Sequence, residues 1–166
     1  SFRSFAEANG PRIIEFAVSG TVPVQTPIVI NNDNLTVRGH TAPGTGFSLQ
    51  ATPAVDTFTM RIIASDIHID NIGIYQNNGQ PSVNRDALNI STSSRRVVFS
   101  QCTIMWGSDE TISLYRVDNN VGIVTLQYCL IAEGLSQTQH PSGEHSKGIL
   151  IGNDIDQVSF HHNWLT

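Results

Sequence analysis

Charge is scarce in this sequence. Asp, Glu, Lys and Arg make up 14% of its 166 residues, against roughly 25% in ordinary globular chains. The formal net charge of −5 argues against a nucleic-acid partner, which requires clustered Lys and Arg. No run of about 18 apolar residues is present, so no membrane-spanning helix and no membrane partner are expected. The two cysteines, Cys102 and Cys129, are too few and too far apart in sequence to form a metal-type cluster.

The main structural signal in the sequence is an internal repeat. Five eight-residue segments superpose without gaps, each with apolar residues at its first and third positions, which predicts a strand with one buried face. They are residues 35–42, 67–74, 97–104, 124–131 and 158–165. Because they recur every 27 to 34 residues, with further strands upstream at 87–91, 111–115 and 148–152, the pattern predicts a solenoid. A β-sandwich, the competing arrangement, does not explain the gap-free superposition.

The predicted fold is therefore all-β: one parallel β-helix domain over residues 1–166, with about five coils. The stretch SFRSFAEAN at 1–9 is the one helical candidate. In the last four repeats the inward positions change from odd to even after the fourth residue. This change of phase requires a corner at the fifth position, since an unbroken strand keeps its alternation. The corner residues are Gly39, Asn71, Gln101, Tyr128 and His162.

A column of charged residues is predicted at the start of three upstream strands. The residues that precede the apolar pairs 88/90, 112/114 and 149/151 by two positions are Asp86, Glu110 and Lys147. Asp109 adjoins this column, and Asn84 offers a further oxygen. Carboxylates about 5 Å apart repel each other unless a positive charge lies between them, and Ca²⁺ accepts several such oxygens. The alternative is a charge ladder on a solvated face. Since buried charge needs compensation, we expect a bend that turns these groups outward, or mutual neutralisation.

The cysteines and histidines each allow two interpretations. Cys102 and Cys129 occupy the same inward position on neighbouring coils, where they are expected as small buried side chains. A disulfide between them is also geometrically possible. His161 and His162 point to opposite faces if the strand is regular, so they are interpreted as structural residues rather than as a shared metal site.

The motifs, taken in order, resemble those of the pectate lyases of polysaccharide lyase family 1, in particular its pectate trisaccharide-lyase-like branch. They are GPRIIEFAVSGTVPV at 10–24, DNLTVRGHTAPG at 33–44, RDALNIS at 85–91, CTIMWGSDETISLY at 102–115, LQYCLIAEGL at 126–135, HSKGILIG at 145–152 and SFHHNWL at 159–165. The resemblance implies a right-handed parallel β-helix, secretion, and Ca²⁺-dependent β-elimination of de-esterified polygalacturonate, the acidic polysaccharide of pectin. By position, it implies that Asp86, Asp109 and Glu110 bind Ca²⁺ and that Lys147 binds substrate.

Two departures from the family pattern qualify these expectations. The family often has Asp-His where this chain has Ser100-Gln101. Its catalytic base, an arginine, is expected beyond Thr166, so no catalytic residue is assigned here and the chain alone is expected to be inactive. Both ends are expected to be cut, and uncapped coil ends favour self-association.

The alternative function is a non-catalytic β-helix that serves as a glycan binder, adhesin or fibre component. Hydrolases of the same fold fit less well, because they need aspartates that activate water.

Overall fold

The computed structural model describes residues 1–76, 85–91, 94–115, 122–135, 143, 145–152 and 157–166. Within these residues the chain forms one short helix, 17 strands and a 3-10 turn at Gly39–Thr41. In chain order the elements are α1 Phe2–Ala6, β1 Arg12–Glu15, β2 Gly20–Val24, β3 Ile28–Ile30, β4 Leu35–Arg38, β5 Phe47–Ala51, β6 Phe58–Ile62, β7 Ile67–Asp70, β8 Ile72–Tyr75, β9 Asp86–Ser91, β10 Val97–Ser100, β11 Thr103–Met105, β12 Glu110–Tyr115, β13 Ile123–Gln127, β14 Leu130–Ala132, β15 Lys147–Ile151, β16 Gln157–His161 and β17 Trp164–Leu165.

The strands stack into three parallel sheets, which we name A, B and C. Sheet A has the order β1-β4-β7-β10-β13-β16, sheet B the order β17-β14-β11-β8-β5-β2, and sheet C the order β15-β12-β9-β6-β3. Every third strand therefore belongs to the same sheet, where it pairs in parallel with its neighbours. This is the topology of a parallel β-helix. The predicted fold class is confirmed. Sheet A holds one strand more than the five predicted copies because β1 pairs with β4.

The core runs along the inside of the solenoid. The first and third positions of the repeat point inward as predicted, and Ile69, Phe99 and Leu126 are fully buried on three successive coils. Each such side chain contributes about 1.5–3 kcal/mol by leaving water. On the last described coil, Phe160 and Leu165 remain 38% and 49% exposed, since described strands pack against this coil from one side only.

The predicted corner between sheets A and B is present on four coils in the left-handed backbone conformation. The φ angles are 53° at Asn71, 55° at Gln101 and Tyr128, and 57° at His162. Gly39 has a different role. It begins the 3-10 turn, and a Cβ there would overlap the carbonyl oxygens of Asp70 and Asn71.

Helix α1 confirms the one helical candidate and covers the first coil. Ser1 caps the helix, since its side chain accepts a hydrogen bond from the Ser4 amide. The ring of Phe2 packs against the rings of Phe16 and Phe47, whose centroids lie 4.3 Å apart. Among the described residues, no helix could span a membrane.

Candidate active site

The turn from sheet B to sheet C at residues 106–109 carries the first part of the site. Its backbone is tied to both neighbouring coils. The Ser108 amide donates to the Arg85 carbonyl at 2.8 Å on one side, and the Leu135 amide donates to the Gly107 carbonyl at 2.8 Å on the other. A Cβ at Gly107 would overlap the Glu110 carbonyl oxygen, so only glycine permits this tight turn. It delivers Asp109 and then Glu110, the first residue of β12.

Asp86 lies behind this turn, on the preceding coil. Its carboxylate accepts hydrogen bonds from the Glu110 amide at 3.2 Å and from the Ser113 hydroxyl. The Asn89 amide in turn donates to the Ser113 hydroxyl oxygen at 2.7 Å. Because Ser113 alternates with the inward Ile112 and Leu114, Asp86 is held on the outer face of sheet C, as the expected bend requires. Even so, it is only 6% exposed.

The following coil supplies two basic groups. Lys147, the first residue of β15, is in register with Glu110, and its Nζ lies 3.6 Å from Glu110 Oε1. His145 Nε2 lies 3.2 Å from Asp109 Oδ1 and 3.1 Å from Lys147 Nζ. The column predicted from the sequence therefore converges at the beginnings of three adjacent strands, and Lys147 neutralises part of its negative charge.

The electrostatics of the two buried carboxylates reflect this crowding. Burial is the main cause that raises the pKa of Asp86 to about 7; the charges of Glu110 and Asp109 add to it, and the hydrogen bond from Ser113 opposes it. Burial, followed by the charge of Asp109, also raises the pKa of Glu110, while Lys147 lowers it. Negative charge is thus under-compensated at this point, so a bound cation would be stabilised there.

The donor set fits a divalent cation. Asp109, Glu110 and His145 each offer one ligand atom, and these atoms lie within 4.8 Å of one another. Carboxylate oxygens are the ligands that Ca²⁺ prefers. The ligand roles predicted for Asp86, Asp109 and Glu110, and the substrate role of Lys147, remain predictions, while Asn84 lies outside the described residues.

Sequence reasoning missed two contributors to this site. His145 stands two positions before Lys147 in the motif HSKGILIG, and the alternation of a strand could have placed both side chains on one side. Ser113 and its partner Asn89 are buried polar residues on the outer face of sheet C. Their polarity at neighbouring strand positions was a signal for a hydrogen-bonded pair.

The cysteines and histidines lie at the other end of sheet B, at its corner with sheet A. Both cysteines are buried free thiols, as the first of the two interpretations predicts. The Nδ1 atoms of His161 and His162 lie 2.7 Å apart, so the expectation that they face away from each other was wrong. The left-handed backbone of His162 turns its ring back, where it stacks on Tyr128 at 4.8 Å between centroids.

Similarity to known proteins bears on the function of this site. No protein-family model matches the chain. The chain is 32% identical over 143 residues to proteins named probable pectate lyase C from Neosartorya fischeri and Aspergillus fumigatus, and 31% identical to the one from Aspergillus flavus. Each match covers 86% of this chain and 30% of the relative, so the chain spans less than a third of these proteins' length. The resemblance carried by the motifs is thereby confirmed: over 86% of its length, the chain is similar to proteins named probable pectate lyase C.

Proposed function

We propose that the chain provides the cation-binding and substrate-binding surface of a secreted, Ca²⁺-dependent pectate lyase that cleaves de-esterified polygalacturonate by β-elimination. The observation that carries this proposal is the convergence of Asp86, Asp109 and Glu110 with Lys147 at one edge of sheet C. Two of these carboxyl groups are buried without enough positive charge. A cation that bridges them to a uronate carboxylate completes the site.

The proposed role of each residue follows from its charge and its exposure. Asp86, Asp109 and Glu110 hold the cation, and Asp86 also fixes the turn through the Glu110 amide. Lys147, whose side chain is 52% exposed, is free at its outer side to bind a substrate carboxylate. A bound Ca²⁺ would withdraw charge from that carboxylate and acidify the proton on C5.

The proton acceptor of the elimination is taken from the resemblance and is assigned to no described residue. The resemblance assigns it to an arginine that follows the motif at 159–165, in sequence beyond Thr166. Since a free guanidinium is almost never deprotonated, such an arginine acts as a base only in a site that lowers its pKa. The described residues provide geometry for the binding step only. The elimination step is therefore tested on a longer protein that continues past Thr166.

Two measurements test the proposal. Calorimetry of the 166-residue chain should show Ca²⁺ binding that weakens at least about tenfold in Glu110→Gln, while the exposed control Asp56→Asn binds as before. A longer protein should form unsaturated product, measured by its ultraviolet absorbance, from polygalacturonate with Ca²⁺ and not with a chelator. Ca²⁺ binding unaffected by Glu110→Gln would refute the site. Binding without product would instead favour the glycan-binding alternative.

A further inference from the structure

The outer face of sheet B carries an aromatic platform beside the acidic site. Tyr75 points outward from β8, between the buried Ile74 and Gln76. Its ring folds back across the sheet: a Cβ added at Gly73 would meet the Tyr75 hydroxyl oxygen and ring carbon, and also the Ser48 side chain. The missing side chain at Gly73 therefore lets the ring lie flat on the sheet. The Tyr75 side chain is half-buried in this position.

Trp106 extends this platform by one coil. Its ring centroid lies 5.4 Å from that of Tyr75, at an interplanar angle of 50°. The indole N–H donates to Glu133 Oε2 at 2.7 Å, and the backbone is held at a φ of 67°. Both rings are thus fixed in place, so little side-chain entropy is lost when a ligand binds to them.

A cavity continues the platform in the opposite direction along the solenoid. It has a volume of about 420 Å³ and is lined by Thr21, Pro23, Gln50, Ala51, Thr52 and Pro53. Gln50 is in register with both Pro23 and Tyr75, so the cavity and the platform share one outward column.

We call this surface, formed by Pro23, Gln50, Tyr75 and Trp106, the neutral strip. It crosses four coils, which at about 4.8 Å per step is about 14 Å and long enough for several sugar rings. None of its residues and none of the cavity-lining residues carries a charge. Glu133 is exposed at the Trp106 end, where its negative charge repels a free carboxylate.

We propose that the neutral strip binds esterified, uncharged galacturonate units of the pectin chain. This inference rests on the proposed function, since it assumes that the acidic site binds the ionised units of the same polymer. The turn at residues 106–109 joins the strip directly to Asp109 and Glu110. A polymer with ionised and esterified blocks thus meets two adjoining surfaces. The cation site takes the ionised block, while the aromatic rings and the Thr and Gln side chains take the uncharged block through stacking and hydrogen bonds.

The two tryptophans of the chain make the test specific. In a Trp164→Phe background, Trp106 is the only tryptophan, and its fluorescence reports directly on the strip. The probe is fully methyl-esterified tetragalacturonate, titrated in EDTA so that binding through a divalent cation is removed. We expect a shift of the Trp106 emission, and an affinity at least about tenfold higher than that of de-esterified tetragalacturonate.

Four variants check where the probe binds. Tyr75→Ala should lose roughly tenfold in affinity, whereas Tyr75→Phe should stay within about twofold, because the ring and not the hydroxyl forms the platform. Gly73→Ala keeps the aromatic ring but displaces it, and should weaken binding several-fold. Tyr115→Ala, at the far end of β12 and 45% exposed in the parent chain, is the matched control and should bind normally.

The proposal would be overturned by no change in Trp106 emission, by equal affinity for both tetragalacturonates, or by unchanged binding in Gly73→Ala and Tyr75→Ala. Binding of β-1,4-galactotetraose in place of the ester would overturn it too. If Tyr75→Ala does not fold, as judged by circular dichroism, Gly73→Ala and Tyr75→Phe still decide. Failure of the proposed function is distinguishable, because it is measured with Ca²⁺ and de-esterified polymer.

Discussion

The Nζ of Lys147 lies 3.6 Å from Oε1 of Glu110, across the boundary between two coils. The lysine side chain is 52% exposed, whereas the glutamate side chain is 8% exposed. This is an ion pair with one partner in water and the other inside the protein. The same carboxylate is a proposed cation ligand, so Lys147 and the cation compete for it.

We therefore predict that Lys147→Met increases the affinity for Ca²⁺. Removal of the ammonium frees Glu110 and ends its repulsion of the cation. Because an exposed partner makes such a pair worth at most about 0.5–1 kcal/mol, the gain should be roughly two- to fivefold. Calorimetry measures it, with Lys147→Arg as the control that keeps the charge. In the same titration series, binding of polygalacturonate should weaken in Lys147→Met. A lower Ca²⁺ affinity in this variant would contradict the prediction.

Asp86 gives a second prediction, on stability against pH without divalent cations. Its pKa of about 7, raised mainly by burial, lies well above the value of about 3.9 in an unfolded chain. Between these two pKa values, the Asp86 carboxyl is therefore protonated in the folded state and ionised in the unfolded state. The contribution of Asp86 to the free energy of unfolding is largest below about pH 4. It falls between about pH 4 and pH 7, and then levels off. The total decrease is on the order of 4 kcal/mol.

The measurement is denaturant unfolding in EDTA at several pH values across this window. Asp86→Asn keeps an oxygen that can accept the bond from the Glu110 amide but cannot ionise, so its profile should be flatter. Asp56→Asn, at an exposed position, should follow the parent. Parallel profiles of Asp86→Asn and the parent would show that Asp86 does not titrate in this range.

Gly107 supports the third prediction. A Cβ at this position would overlap the carbonyl oxygen of Glu110, so Gly107→Ala must open the turn that carries Asp109 and Glu110. We expect a loss of stability of about 1–3 kcal/mol, measured by thermal unfolding, together with weaker Ca²⁺ binding. Gly148→Ala is the matched control, because the nearest atom to its Cβ is Leu165 Cδ2 at 4.0 Å. Equal behaviour of the two variants would show that the turn is not restricted by this contact.

The cysteines provide the fourth prediction. Cys102 and Cys129 are buried at 1% and 2% exposure, and a hydrogen bond with Cys129, together with burial, raises the pKa of Cys102. An aromatic disulfide reagent should therefore label almost no thiol in the native chain and two per chain in denaturant without reductant. Absence of labelling in denaturant would reveal a disulfide between the two coils instead.

The sequence by itself determined the periodic part of this protein. Apolar alternation with a change of phase predicted the strands, the stacking and the corner, because burial of one strand face leaves a pattern in every copy. The corner position was correct at Gln101, Tyr128 and His162, although their residue types did not suggest a left-handed backbone. The same alignment placed Asp86, Glu110 and Lys147 in one column, since equivalent residues of stacked coils become neighbours.

The tertiary structure decided what depends on neighbours outside the repeat. That Asp86 is buried and bound to Ser113 follows from the turn before β12, which is not part of the repeated segment. His161 meets His162 because the left-handed backbone of His162 breaks the strand alternation that sequence reasoning assumes. The flat ring of Tyr75 depends on space left by Gly73. Such close contacts are set by packing in three dimensions, which a one-dimensional pattern does not encode.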